Sequence, residues 1–311
     1  MQISFVIPAY RASATIGATL ASIFGPEVPG DWTLDVIVID DGSPDGEDLK
    51  RIVSSFPSVR YSRFASNRGK YAAVDAGIHE SKGDFVIIFD ADDTLVEAWP
   101  NVFARVLESW PEECALCFSA CRNQFGESTV SCPEYTGWLT FEDLLQERRS
   151  GEYIAIFRGD QVHRAIGYRD PKTGWGCEML TYLHYAKAGR IWVSAEVLRT
   201  YHVAQPGSVT ASLSNPAGAR QIRRCHELVL ATFEADFRRL APVHYRRRRL
   251  RQAVFAAIAG DRDALALWRK GVSWATAGES LGVACLIALG GRGAMTVAGL
   301  AKRLGLIKKF G

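Results

Sequence analysis

Phe85-Val86-Ile87-Ile88-Phe89-Asp90-Ala91-Asp92-Asp93 sets five apolar residues directly ahead of three carboxylates in four positions. An unbroken run of this kind reads as a strand buried on both faces, which is the habit of parallel sheets. Two more runs, nearly unbroken, share the character, Ile3–Ile7 and Leu34–Ile39, and the second also ends in acid, at Asp40-Asp41-Gly42-Ser43. Between the runs, apolar residues recur at helical spacing: Ile16, Leu20, Ile23 and Phe24 behind Ser13 and Thr15, then Leu49, Ile52, Val53 and Phe56. Strand and helix alternate, so the predicted class is α/β with a mostly parallel, Rossmann-like sheet flanked by helices. Ligands of such sheets bind beyond the carboxyl ends of the strands, where the acids lie.

Three carboxylates crowded at a buried strand end repel one another by several kcal/mol at low dielectric, so a cation must compensate them. Oxygen-only ligands suit Mn²⁺ or Mg²⁺, which take one or two carboxylates and complete their shells with phosphate and water. The plainer alternative is a turn-forming Asp cluster. For Asp40-Asp41-Gly42-Ser43 a turn is likewise open, with Asp45 capping the helix that follows.

The 311 residues suffice for an enzyme core plus an accessory region, and 48% hydrophobic with 23% charged content excludes a disordered chain. The first strand runs into Pro8-Ala9-Tyr10-Arg11 and not into G-x-G-x-x-G, which argues against a dinucleotide-dependent dehydrogenase. From Asn215 onward the pattern turns helical, with Leu250, Val254 and Ile258 every fourth residue, so domains are expected at 1–214 and 215–311. Residues 216–311 carry 18 Lys and Arg against 6 Asp and Glu, and residues 1–215 carry 19 against 28. The tail is expected to meet an anionic surface, or else to be a solvated basic face.

Other signals carry less. Arg246–Arg249 has only Tyr245 as an adjacent aromatic, so no nucleic-acid partner is expected, and a membrane- or protein-facing helix is preferred. Cys114, Cys117, Cys121 and Cys132 lie close together, but Cys117, Ser119 and Cys121 alternate within a strand-like run and no second CxxC follows, so zinc is not expected. Gly290-Gly291-Arg292-Gly293 lacks the ending of a phosphate loop and reads as a helix break. Leu281–Gly291 falls short of the roughly 18 apolar residues of a spanning helix. Seven scattered cysteines and a first segment that reads directly as a strand predict a cytoplasmic location.

The succession Ser4-Phe-Val-Ile-Pro-Ala-Tyr10, Asp40-Asp41-Gly42-Ser43, Asn67-Arg68-Gly69 and Asp90-Ala91-Asp92-Asp93 resembles the inverting glycosyltransferases of family 2, whose donor-binding half has the GT-A fold. The helical tail lies outside the resemblance. It implies that Pro8, Ala9 and Tyr10 line a nucleotide pocket, with Asp40 or Asp41 on the base or ribose and Arg68 nearby. It also implies that Asp90 and Asp92 meet the ribose and a metal-bound diphosphate, with Asp93 in second rank. Lys70 is open to a phosphate role, although a solvated lysine is the preferred reading.

Attack on an anomeric carbon requires the acceptor hydroxyl to lose its proton, so a base is needed. The family draws it from a Glu-Asp pair opening a helix. Gly174-Trp175-Gly176-Cys177-Glu178 falls in that place, and with Cys177 where the first acid is common, Glu178 alone remains for the role. The other reading of Glu178 is an acid favoured by the helix dipole. Trp175 is either an acceptor-side wall or a core residue. Tyr201-His202 through Ser208 and Thr210 resembles the family's closing loop, with His202 either near the metal and diphosphate or hydrogen-bonded structurally.

The expected function is therefore hexosyl transfer from a nucleotide-sugar, UDP-linked by resemblance, to a glycan or lipid-linked acceptor of envelope polysaccharide or glycoconjugate synthesis. The basic tail, with short apolar segments at Leu281–Leu289 and Leu300–Ile307, is expected to rest on an anionic membrane surface. Two alternatives stand beside it, a sugar-phosphate nucleotidyltransferase and a non-catalytic nucleotide- or glycan-binding module.

Overall fold

The computed structural model describes residues 1–164, 178–202 and 216–290, together with 293 and 296. Trp175, Cys177, Ser208, Thr210 and the Leu300–Ile307 segment lie outside the described residues. The chain divides into two compact units, residues 1–144 with 148–205 and residues 145–147 with 206–311.

The first unit alternates strand and helix as β1 (Gln2–Ala9), α1 (Ile16–Phe24), β2 (Thr33–Asp40), α2 (Gly46–Val53), β3 (Val59–Arg63), α3 (Lys70–Glu80) and β4 (Phe85–Ile88). There follow β5 (Thr94–Leu95), α4 (Trp99–Ser109), β6 (Leu116–Asn123), β7 (Gly137–Leu139), α5 (Phe141–Leu145), β8 (Tyr153–Arg158), α6 (Glu178–Ala188) and β9 (Ile191–Tyr201). The strands form one sheet in the order β3-β2-β1-β4-β8-β6-β9-β5, with β7 also pairing β9.

The β3-β2-β1-β4 half is parallel throughout. Burial on both faces explains the nearly unbroken apolar runs: Ile3, Phe5, Val6 and Ile7 of β1 and Val36 to Ile39 of β2 are fully buried. Beyond β4 the pairing turns antiparallel with β8, and β6 then runs parallel to β9. The class is α/β, a central sheet flanked by helices.

Register decides where the acids fall. Ala9 pairs with Asp40 and Val6 with Ile88, so the ends of β1, β2 and β4 lie side by side. On one face an aromatic cluster fixes these strands: Phe5 meets Trp99 edge-on at 5.6 Å between ring centroids, and the Trp99 indole donates to the Ile23 carbonyl at 3.1 Å. On the other, α3 approaches β1 so closely that a Cβ on Gly77 would lie 2.3 Å from Val6 Cγ1. Val6 is buried and stiff at χ1, and it has no room to yield. Gly77→Ala is expected to destabilise by about 1–3 kcal/mol, read as a lower urea midpoint with unchanged slope.

The second unit contains α7 (Pro216–Leu240), which leaves helical angles at Phe233, and α8 (Pro242–Ala259), α9 (Ala264–Gly271) and α10 (Ala277–Ala288). Leu250, Val254 and Ile258 are buried on α8 and share a core with Leu267 and Val283. Helical rotation splits the Arg246–Arg249 run, which is not a uniform outward face. Arg248 is 5% exposed, with Nη1 3.1 Å from His226 Nδ1 and its guanidinium over the Phe237 ring. Among the described residues no single helix is long and apolar enough to cross a membrane.

Candidate active site

Two glycines bring the loops after β2 and β3 together. Gly42 has φ +68°, and a Cβ there would lie 2.5 Å from the Ser66 carbonyl carbon; Gly69 has φ +92°. Both angles lie in the region that glycine adopts without strain. Asp41 fastens the arrangement, its carboxylate accepting from the backbone N–H groups of Arg68 (2.6 Å) and Gly69 (2.9 Å). Burial pushes the Asp41 carboxyl up, against those two hydrogen bonds. Asp40 is fully buried and accepts from Ser43 N–H (2.8 Å) and the Tyr61 hydroxyl (2.9 Å), with Arg63 Nε at 3.2 Å. Both aspartates buttress the loops after β2 and β3. Asp45 precedes α2 without a side-chain cap and accepts instead from Ser13 N–H at 3.1 Å.

The loop held by Asp41 opens α3, whose first residue is Lys70. A lysine in the first turn opposes the helix dipole, and its partners lie elsewhere: Nζ is 2.6 Å from Asp90 Oδ1 and 3.9 Å from Glu178 Oε1. Burial alone would favour the neutral amine, but Asp90, Glu178 and Asp92 outweigh it and hold Lys70 charged. The solvated-lysine reading is thus corrected: Lys70 links the acidic turn to the first residue of α6.

The acidic turn itself is braced by α1, through Thr19 Oγ1 donating to the Ala91 carbonyl (3.0 Å) and Ser22 Oγ accepting from Leu95 N–H (3.0 Å). Asp93 points inward. Its Oδ1 accepts from His202 N–H at 2.9 Å, while Oδ2 lies 3.1 Å from Arg199 Nη1 and makes no hydrogen bond. The His202 ring places Nε2 3.1 Å from Thr94 Oγ1. Arg199, 5% exposed, also donates to Cys121 Sγ (3.2 Å) and lies 3.9 Å from Asp90 Oδ2 and from Glu152 Oε2. Cys121 thus serves as a buried acceptor, and Cys114 and Cys117 belong to the same core.

Electrostatics sort the three acids. Burial works against the charge on Asp90, but Lys70 and Arg199 overcome it and hold that carboxyl below its usual range. Asp92 is pushed up by burial and then by Asp90. Asp93 is pushed up to about 7 by burial, with Asp90 and Asp92 adding to it against Arg199. Ligand oxygens of Asp90, Asp92 and Asp93 lie within 4.8 Å of one another. With Glu178 and Glu152, carboxylates outnumber the two cations Lys70 and Arg199 around the turn, an excess of negative charge that a divalent ion would offset. Oxygen donors, spacing and unbalanced charge all fit Mn²⁺ or Mg²⁺.

Of the other expected site residues, Pro8 and Ala9 end β1 beside Ile39 and Asp40. Tyr10 is 43% exposed under the Arg11 guanidinium, and Arg68 is exposed over the Phe64 ring. Arg199 was not foreseen. Its only signal is a cation inside the apolar strand Ile191–Tyr201, where a buried charge demands a partner.

Lys70→Met is expected to destabilise the apo protein by about 1–3 kcal/mol, less than for a fully buried pair because Lys70 and Asp90 each keep 30% of their side-chain surface in solvent. Manganese should then raise Tm more in the variant than in the parent, since the ion replaces the lost cation. Equal shifts in scanning fluorimetry would separate Lys70 from the cluster.

A sheet with a parallel half, whose strand ends converge on a braced aspartate turn, defines a GT-A type α/β protein. The glycosyl transferase family 2 signature matches residues 4–165, and the chain belongs to that family. Over 112 residues it is 35% identical to the undecaprenyl-phosphate 4-deoxy-4-formamido-L-arabinose transferase of Aeromonas hydrophila, covering 34% of this chain and 33% of that one. The chain spans between 33% and 57% of the length of three curated relatives that it matches. Its fold is similar to that of S. aureus TarS 1–349 in complex with UDP-GlcNAc, with TM-score 0.61 and 14% identity, covering 98% of this chain and 92% of that one. It is also similar to the mannosyltransferase PcManGT of Pyrobaculum calidifontis in complex with GDP-Man and Mn²⁺, with TM-score 0.52, 19% identity and coverage of 96% and 86%.

Proposed function

We propose that the chain is an inverting hexosyltransferase that moves a sugar from a nucleotide-sugar, UDP-linked, to a hydroxyl of a glycan or lipid-linked acceptor in envelope polysaccharide or glycoconjugate synthesis. One observation carries the reading: Lys70 joins Asp90 of the acidic turn to Glu178 at the head of α6, so that a diphosphate-side cluster and a lone carboxylate share one place. Residues 1–214 act as the donor and catalytic domain and residues 215–311 as a basic helical region.

Asp90 and Asp92, with His202 nearby, would hold a divalent ion, and Asp93, engaged by Arg199 and the His202 N–H, keeps the turn in shape. Manganese or magnesium bound there supplies positive charge for the diphosphate that leaves. Pro8, Ala9, Tyr10 and Arg68 border the nucleotide, with Asp40 and Asp41 holding the loops that carry it. Glu178 accepts the acceptor's hydroxyl proton as its oxygen bonds to the anomeric carbon; the bond from that carbon to the phosphate oxygen breaks, and its electron pair stays on the diphosphate. A single displacement inverts the centre. Trp175 is assigned to the acceptor side on the family resemblance alone.

Support for a UDP donor comes from the similarity to a fold that holds UDP-GlcNAc, and for a lipid-linked acceptor from the undecaprenyl-phosphate relative. The basic region attaches peripherally to the inner, anionic face of the cytoplasmic membrane. Measuring UDP release from a panel of UDP-sugars with and without Mn²⁺ tests the reading. Manganese-dependent turnover of at least one sugar is the expected result, and none from any donor together with no UDP binding would overturn it.

A further inference from the structure

The helical unit contains a cleft of about 510 Å³ whose walls carry Arg238, Arg246, Arg249, Arg269 and Lys270 against a single acid, Glu234. Close helix packing builds it. A Cβ on Gly271 would lie 2.7 Å from Leu250 Cδ2 and 2.9 Å from the Arg246 carbonyl oxygen, so the bare glycine lets the end of α9 touch α8 and sets Arg269 and Lys270 beside Arg246. Glu234 is already engaged, by Arg238 at 2.8 Å, Arg249 at 3.2 Å and the Tyr245 hydroxyl at 2.7 Å. Among the described residues, no carboxylate lies within ion-pair distance of Arg246, Arg269 or Lys270. Three cations therefore face the cleft without a counter-charge, which is the electrostatic requirement of a phosphate.

The chain that leaves the cleft after Lys270 is of the opposite kind. Arg246 donates to the Val272 carbonyl at 2.9 Å, and two residues on stands Trp274, 99% exposed. The helix that follows, α10, carries one charged residue, Glu279, and Arg247 neutralises it at 2.9 Å. Leu281 and Leu289 of the same stretch are 69% and 54% exposed. An indole wholly in water beside an uncharged helix face is an unsatisfied apolar surface, and Trp is the side chain that favours the boundary between water and acyl chains. Free phosphate or a nucleotide would use the cations and leave Trp274 and Leu281 in water. A lipid with a phosphate headgroup satisfies both.

We propose that this cleft binds the phosphate of an anionic phospholipid and that Trp274 and Leu281 enter the acyl boundary beside it. Its residues are distinct from those of the acidic turn. It rests on the membrane-attachment reading given above and names the surface that performs it.

The test uses the full chain with vesicles of phosphatidylcholine, with and without phosphatidylglycerol, in co-sedimentation. The triple variant Arg246→Gln/Arg269→Gln/Lys270→Gln is compared with a control of equal charge loss, Arg224→Gln/Arg239→Gln/Arg262→Gln. Affinity for the anionic vesicles is expected to fall about tenfold or more in the cleft variant and clearly less in the control. Lipids brominated on their acyl chains should quench tryptophan emission in the parent, with that component lost in Trp274→Phe. UDP binding should stay unchanged in every variant, and unchanged helical circular dichroism and Tm report an intact helical unit. Equal loss in both triple variants, or quenching that survives Trp274→Phe, overturns the cleft while leaving membrane attachment standing. No sedimentation of the parent with either vesicle, alongside normal UDP binding, overturns attachment and cleft together and leaves the donor site standing.

Discussion

Glu178→Gln is expected to lower kcat by about 10²–10⁴-fold with manganese-dependent UDP affinity nearly unchanged. The substitution keeps the shape of the side chain and removes its capacity to accept a proton. The large effect follows from the absence of a second acid beside it in sequence: the preceding residue is Cys177, where the family pattern commonly has a carboxylate. Among the described residues the ion-pair partner of Glu178 is a cation, Lys70 at 3.9 Å, which has no basic lone pair to offer while it remains protonated. The check is single-turnover UDP release at saturating donor and acceptor, with calorimetry of UDP on the same sample. Loss of kcat below tenfold would move the base to another residue. Parallel loss of UDP affinity would mean instead that Glu178 supports the donor site through Lys70.

What could be read before the structure, and what could not, divides along physical lines. Strands β1, β2 and β4 were legible because burial on both faces favours a nearly unbroken apolar run, and the acids after β2 and β4 were legible because they stand directly behind those runs. The antiparallel half was not. β5 has two residues and β7 three, too short for any period to show, and β6 and β9 interrupt their apolar pattern with buried Ser119, Ser194 and Arg199. Lys70 was misread for a related reason, since its neighbours in sequence give no hint of Asp90, which the parallel pairing of β4 against β1 brings to it. Asp40 and Asp41 show the limit of strand-end reasoning. Two acids stand out in the sequence there, but their hydrogen bonds to Ser43, Tyr61, Arg68 and Gly69, which tie the loops after β2 and β3 together, have no sequence signal of their own.

Asp92→Asn is expected to abolish the manganese-dependent part of UDP affinity, a loss of about 100-fold or more. Asp90 and Asp92 would both reach the ion, and the three acids differ in how far the protein's own cations already balance them. Asp93 is turned inward and held by Arg199 and the His202 N–H; Asp90 is neutralised by Lys70 at 2.6 Å. Among the described residues, Asp92 is the one of the three with no lysine or arginine within ion-pair distance, and burial together with Asp90 pushes its carboxyl up. It is the charge that the protein leaves for a cation to balance. The variant should bind UDP equally with MnCl₂ and with EDTA, at the affinity the parent shows in EDTA, and its Tm in EDTA should be no lower than the parent's because one repelling charge is gone. Asp93→Asn supplies the contrast: it should lower Tm by stripping buried Arg199 of its carboxylate while keeping most of the manganese-dependent increment. If instead Asp92→Asn keeps that increment and Asp93→Asn loses it, the ion sits on the inner acid and the assignment of roles within the turn is reversed.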